Sequence, residues 1–247
     1  MNKRLRGALF GMLIVSLILS MIVPASFASG ERSFAFQDKD GYVVRFHQDE
    51  ASSVTLDFDL GGYAFSELTE DGATFTKIEF DGGVVTTDKG YAEVPFIHAA
   101  VQLPPDRNVS LAVEEAEFVE HALLHPLLPS RGVIYRNEDP ASIPYQVDPA
   151  SLKDGWYPAE LARTTKPYIL RDVRGANVYV YPFQYNAASQ TLRVYTSVTV
   201  KLVEDSSRAA NQLSSAPGDI AAEMDLLYRS VFINYGAGDT FSAANAS

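Results

Sequence analysis

From Val54 to Leu60 apolar and polar residues alternate without a break, and Gly61-Gly62 ends the run. Period-two alternation places every second side chain on one face of a pleated strand, so this run predicts a half-buried strand that stops at a turn. Leu192, Val194, Thr196, Val198, Val200 and Leu202 repeat the pattern over a longer stretch, with Arg193, Tyr195, Ser197, Thr199 and Lys201 on the opposite face. Val109, Leu111 and Val113 carry it again, and Tyr42 to Phe46 and Val178 to Phe183 carry it less cleanly. Asn186 to Gln190 lies between two such runs and predicts a hairpin loop. Asp38-Lys39-Asp40-Gly41 predicts a turn between strands, since Asp and Gly both favour turns. Many short strands punctuated by Gly and Pro, with no βαβ rhythm, predict an all-β fold: a β-sandwich of the jelly-roll or carbohydrate-binding-module kind.

One helix breaks the pattern. Ile220, Met224, Leu227, Tyr228 and Val231 fall at helical spacing on one face, and Asp219 can cap the first turn after Pro217-Gly218. The expected organisation is a β-sandwich over 29–205, a polar Pro/Gly-containing linker over 206–218, a C-terminal helix over 219–235 and a small, polar tail over 236–247.

The first residues read as an address rather than as structure. Lys3, Arg4 and Arg6 precede an apolar run from Ala8 to Val23, and Ser26-Phe27-Ala28 offers small residues for cleavage after Ala28. That is the layout of a secretory signal peptide over 1–28, and the apolar run is short for a membrane span, which needs about 20 residues. The expected location is secreted, extracellular or in the cell envelope, with no stable span once the signal is removed. Loss of the three basic residues makes the remainder more acidic than the net charge of −11 of the whole chain. Such a surface repels phosphate backbones, which argues against nucleic acid as a partner.

Candidate chemistry is sparse. His121 and His125 are four residues apart, but Ala122 follows the first and Pro126 the second. The zinc-peptidase pattern needs a Glu directly after the first His, so two polar residues at a strand end is the better reading, and no metal or cofactor is expected. Asp38-Lys39-Asp40-Gly41 lacks the later ligands of a calcium loop. No Gly-x-Ser-x-Gly elbow is present, and the chain has no cysteine, which excludes a cysteine nucleophile. Arg163, Lys166, Arg171 and Arg174 form a basic stretch in an otherwise acidic protein. Read by itself it is a solvated strand face; read functionally it is a surface for a partner that takes guanidinium groups in a rigid fork.

Four runs share an irregular spacing of Pro, Arg and aromatic residues. They are Gly132-Val-Ile-Tyr-Arg136 with Asp139-Pro140 and Ile143-Pro144-Tyr145; Trp156-Tyr157-Pro158-Ala159-Glu160; Tyr168-Ile-Leu-Arg171-Asp172-Val-Arg174-Gly175; and Pro182-Phe-Gln-Tyr-Asn186 with Thr191 to Tyr195. In that order they resemble the N-terminal pro-segment of gingipain-type cysteine peptidases, with Ala159 where the family's run has Gly. Gly90 to Pro95 and Leu227 to Tyr235 extend the resemblance upstream and downstream. The resemblance implies a β-sandwich propeptide that aids folding of a catalytic domain absent from these residues and blocks its cleft until cut away. It implies a non-enzymatic role for this chain, the cognate cysteine peptidase catalytic domain as partner, and an inhibitory loop that offers a basic residue. That loop is expected around Lys153 to Lys166, with Arg163 and then Lys153 as the inserted residue. Trp156, Tyr157, Glu160, Arg171 and Arg174 are the expected partner contacts. Ala28, Arg208 and Arg229 are the expected processing positions, the two arginines being the basic residues that follow Lys201. A second functional class stays open: an extracellular β-sandwich binding module for a glycan or cell-surface ligand, since 13 Tyr and one Trp can furnish stacking surfaces.

Overall fold

The computed structural model describes residues 34–39, 41–47, 53–213 and 220–236. The segment 1–28 with Ala28, the proposed cap Asp219 and the tail beyond Gly236 lie outside the described residues. Thirteen strands and one helix follow in order: β1 (Phe34–Lys39), β2 (Tyr42–His47), β3 (Ser53–Leu60), β4 (Ala64–Glu70), β5 (Ala73–Glu79), β6 (Val84–Val85), β7 (Pro95–Gln102), β8 (Arg107–Ala122), β9 (Ala162–Thr164), β10 (Tyr168–Leu170), β11 (Val173–Val180), β12 (Phe183–Asn186), β13 (Thr191–Arg208) and α1 (Ala222–Val231). The fold is all-β with one short helix, as the alternation predicts.

The first sheet runs antiparallel through β1, β2, β3, β13 and β8. β8 follows one edge of β13 from end to end, so β3 and β12 divide the other edge, pairing at 197–203 and 191–194. The second sheet orders β10-β11-β7-β6, with β9 beside β10 on the same edge of β11. β4 and β5 form a separate hairpin. The expected half-buried strand is β3, where Val54, Leu56 and Phe58 are sealed while Asp57 and Asp59 are half-exposed. The expected hairpin loop lies between β12 and β13, where the Asn186 Oδ1 accepts from the Ala188 N–H at 3.1 Å.

The main core lies between the two sheets. Tyr42, Val44 and Phe46 of β2 and Val198, Val200 and Leu202 of β13 meet Ile97, Ala99 and Val101 of β7 and Val178 and Val180 of β11. Burial of a Val, Leu, Ile or Phe side chain contributes about 1.5–3 kcal/mol, and this layer is the main source of stability in a chain without disulfides.

Two features differ from the sequence expectation. β13 runs on through Arg208, into the stretch read as linker, because its backbone keeps pairing with the start of β8. α1 is shorter than expected and begins at Ala222, after Ala221, which supplies no side-chain cap. Tyr228 and Phe232 are sealed against Val173, whereas Leu227 is 41 % exposed, because the stripe facing the sheet runs through Met224, Tyr228 and Val231. The segment after α1 then covers an edge of β7. The Ile233 N–H donates to the Ala100 carbonyl at 3.0 Å, and the Asn234 amide pairs with both the N–H and the C=O of Gln102, at 2.7 and 3.0 Å. Gly175 makes this docking possible, since a Cβ there would meet the Phe232 ring at 2.3 Å.

Candidate functional site

The long connection from β8 to β9 carries Lys153, Trp156, Tyr157 and Glu160, four of the residues singled out from the sequence. It is held by short-range chemistry legible in its Asp-Pro pairs. Asp139 and Asp148 each cap a 3-10 turn, Pro140–Ser142 and Pro149–Leu152, by accepting from the N–H two residues on at 3.0 and 2.8 Å. Beyond the second turn the chain is bound along β12. The Tyr157 backbone exchanges two hydrogen bonds with Tyr185 at 2.9 and 2.8 Å. The Gln184 side-chain amide donates to the Pro158 carbonyl at 2.8 Å, and the Asn186 amide donates to the Asp154 carboxylate at 2.7 Å. The Tyr157–Pro158 peptide is cis.

Tyr157 is the common wall of two hollows. On one side is an open depression of ≈ 450 Å³, lined by Asp88, Tyr157, Glu160, Arg163 and Tyr181 among others. On the other is an apolar cavity of ≈ 270 Å³ against Tyr91, Leu127, Val147 and Tyr185. The Tyr157 hydroxyl donates to Asp88 at 2.7 Å. Burial, and then this bond to a carboxylate, push its pKa well above the ordinary phenol value, so Tyr157 is a neutral donor at neutral pH. The Arg163 Nε donates to the Tyr181 hydroxyl at 2.8 Å, and its guanidinium lies 5.0 Å from the centre of the Tyr179 ring. Three predicted residues, Tyr157, Glu160 and Arg163, therefore converge on one depression. Asp88 and Tyr181 belong to the same depression but escape a sequence reading. Asp88 lies 69 residues before Tyr157, and no spacing rule connects them.

The other predicted residues fall elsewhere. Within the stretch Lys153 to Lys166, residues Ala162–Thr164 form strand β9, so Arg163 is a strand residue rather than a loop tip. Lys153 is exposed and directly follows the second 3-10 turn. Trp156 is half-buried beneath the Arg193 guanidinium, 4.0 Å from its ring centre, and Arg193 in turn donates to Glu120 at 2.7 Å. Arg171 is exposed at the turn between β10 and β11, 3.6 Å from Asp172. Arg174 departs from the expectation of a partner contact. It is 1 % exposed and donates to the carbonyls of Pro104, Arg107, Ala210 and Asn211 at 2.7–3.2 Å. All its donors serve the chain itself, so it clamps the start of β8 and the end of β13 to the second sheet. Arg208 ends β13, its backbone paired with Arg107. Arg229 sits in the last turn of α1, bonded to Asp225 at 2.8 Å.

His121 and His125 point to different partners: the Tyr63 hydroxyl at 2.8 Å from one, and Glu67 at 3.7 Å from the other. Among the described residues no group of three or more His, Asp or Glu could hold a metal ion, and no helix is long and apolar enough to cross a membrane. The arrangement offers shape, charge and aromatic surface for binding.

Comparison with known proteins gives these features a context. A model of the Propeptide_C25 family matches residues 36–239. Gingipain R1 of Porphyromonas gingivalis is 33 % identical over 212 residues, which are 85 % of this chain and 21 % of that protein. Lys-gingipain of the same organism is 22 % identical over 189 residues, 72 % of this chain and 11 % of that protein. The chain thus spans about a fifth or less of the length of these relatives. Among solved structures, a complex of Porphyromonas gingivalis RgpB pro- and mature domains matches with a TM-score of 0.72 and 31 % identity, over 78 % of this chain and 97 % of that one. A structure on the zymogenic latency of gingipain K from the same organism shares the fold, with a TM-score of 0.60 at 17 % identity, over 72 % of this chain and all of that one.

Proposed function

The chain belongs to the Propeptide_C25 family, and from that premise we propose that it acts as the folding aid and latency inhibitor of a gingipain-type cysteine endopeptidase domain. The observation that carries this reading is the likeness, at 31 % identity and a TM-score of 0.72, to a chain solved as pro- and mature domains in complex. The chemistry agrees. With no cysteine the chain cannot supply the nucleophile of such an enzyme. A folded chain of this size can furnish a standard interface of about 1,600 Å² in total.

The signal-like first 28 residues support export, with action outside the cytoplasm or at the cell envelope. The depression around Tyr157, Glu160 and Arg163, together with the exposed Lys153 on the same connection, is the surface we assign to the peptidase cleft. Of the two basic candidates, Lys153 can enter a pocket without breaking an internal bond, whereas Arg163 must first leave the Tyr181 hydroxyl.

The test is direct. The purified chain is titrated into the mature catalytic domain of gingipain R2 from Porphyromonas gingivalis, and hydrolysis of an arginyl substrate is followed. A saturable loss of activity is expected, together with a higher yield when the catalytic domain is refolded in its presence. Undiminished hydrolysis and no detectable complex would sink the reading.

A further inference from the structure

The first sheet ends in a bare edge. β8 is hydrogen-bonded to β13 and, among the described strands, to no other. An outermost antiparallel strand turns half of its backbone N–H and C=O groups away from the sheet, which makes it a template for one more strand. Every residue from Ala112 to Glu120 is exposed. In a strand, successive side chains point to opposite faces, so this run is uncovered on both faces as well as along its edge. Val113 and Val119 are 40 % and 44 % exposed although the valines opposite them on β13 are sealed, and Phe118, opposite the buried Tyr195, is 47 % exposed.

The charge on this edge decides what fits it. Glu114, Glu115, Glu117 and Glu120 lie in the uncovered run, which contains no Lys or Arg. A two-fold pairing with a second copy, centred on Glu117, would set Glu114 against Glu120 and Glu117 against itself, and like charges directly opposite are destabilising. That register is disfavoured between two copies, whereas a basic strand would meet opposite charge in it. β9, which carries Arg163, lies against β8, so this edge adjoins the surface assigned to the cleft.

We propose that the open edge of β8, Ala112 to Glu120, docks on the peptidase by accepting a basic extended segment of the catalytic domain as an added strand. Main-chain hydrogen bonds supply the affinity and Val113, Phe118 and Val119 the apolar contacts, while Glu115 and Glu117 select a basic partner; Glu114 and Glu120 already lie against Lys201 and Arg193. This proposal rests on the latency reading, and the experiment separates the two.

Amide hydrogen exchange is measured on the chain alone and with the mature catalytic domain of gingipain R2. New protection is expected across Ala112 to Glu120, and the paired variant Glu115→Lys, Glu117→Lys should weaken the complex about tenfold or more and flatten its salt dependence. A wild-type complex that leaves these amides exchanging as before, or whose Kd the paired variant leaves unchanged while its melting temperature is preserved, overturns the β8 proposal and leaves latency standing. Failure of the wild-type chain to bind overturns both. Dimers of the chain in analytical ultracentrifugation that dissociate in the Val119→Lys variant overturn the choice of partner.

Discussion

β13 and β8 are hydrogen-bonded neighbours in one sheet, and two pairs of identical residues face each other across them. Val194 of β13 stands opposite Val119 of β8, and Val200 opposite Val113. On β13 both valines are sealed; on β8 they are 44 % and 40 % exposed. Residue type, strand, face and hydrogen-bonding partner are the same, so none of these sets burial. The second layer does. Ile97, Val101 and Val178 of β7 and β11 pack with Val200, and Ile78, Val94 and Leu127 pack with Val194, while neither cluster contains a residue of the uncovered run. An alternating pattern therefore reports a strand, but not whether another sheet, or another protein, supplies the cover.

The largest effect should come from the clamp that holds both strands at one end. Arg174→Ala leaves the carbonyls of Pro104, Arg107, Ala210 and Asn211 without their donor, at the start of β8 and just beyond β13. We expect a loss of about 3–5 kcal/mol in urea unfolding, since several wholly or partly buried carbonyls lose a charged donor, each at about 1–3 kcal/mol. Arg171→Ala, three residues away and exposed, should change stability by less than about 0.5 kcal/mol. Similar losses for the two would show that the clamp is not what anchors β8.

Next in size is the paired test of the valines themselves. Val194→Ala should cost about 2–3 kcal/mol, from lost burial and the cavity left behind. Val119→Ala, opposite it, should stay within about 0.5 kcal/mol in the isolated chain. If the peptidase covers β8, the second variant should show its cost only in the complex, read as a faster dissociation. Equal costs in the isolated chain would break the comparison.

Much of this was legible beforehand and some was not, for identifiable reasons. Strands β3 and β13 were visible because alternate positions of each are sealed over most of their length. Tyr195, expected on the open face, is instead buried beside Val194, where a bulge between Tyr195 and Ser197 shifts the register. The turns at Asp139-Pro140 and Asp148-Pro149 obey local capping chemistry, but neither was predicted from the sequence. The roles of Arg163 and Arg174 were not, since the two sit 11 positions apart in one basic stretch, with nothing local to tell them apart. Arg174 lies on an inner strand within reach of four carbonyls, those of Pro104, Arg107, Ala210 and Asn211, whereas Arg163 lies on a short outer strand above two tyrosines. Asp88 and Tyr181 join Tyr157 through long-range contacts that no spacing encodes. Asn234 was missed because its role is to imitate a strand with its side chain.

Asn234 tests the covered edge against the open one. Its amide closes the N–H and C=O of Gln102 at the edge of β7. Asn234→Ala should cost about 1–2 kcal/mol, the worth of two neutral hydrogen bonds. It should also loosen the attachment of α1, which holds the Arg229–Ser230 bond in a helical turn that a protease cannot bind in extended form. Limited trypsin digestion should leave that bond intact in the native chain and cut it in the variant. Rapid cleavage of the native chain would show that the β7 edge is no better covered than β8.

The smallest effect concerns an acid under cover. Glu93 is half-buried just before β7, with its N–H bonded to the Leu128 carbonyl at 2.8 Å. Burial raises its pKa above the ordinary carboxylate value, and the charges of Arg131 and Lys77 only partly oppose this. A carboxyl whose folded pKa is raised binds its proton more tightly folded than unfolded. It therefore subtracts from stability as pH rises between the two values, and the penalty is complete above the folded one. Glu93→Gln removes the charge and should raise the melting temperature slightly at pH 7. The gain should vanish below about pH 4, where the unfolded carboxyl is also protonated. Glu115→Gln on the uncovered strand is the exposed control, with no burial to relieve. A gain for Glu93→Gln that persists in acid would come from something other than charge burial, and a matching gain for Glu115→Gln would mean that the open strand is less open than its surroundings indicate.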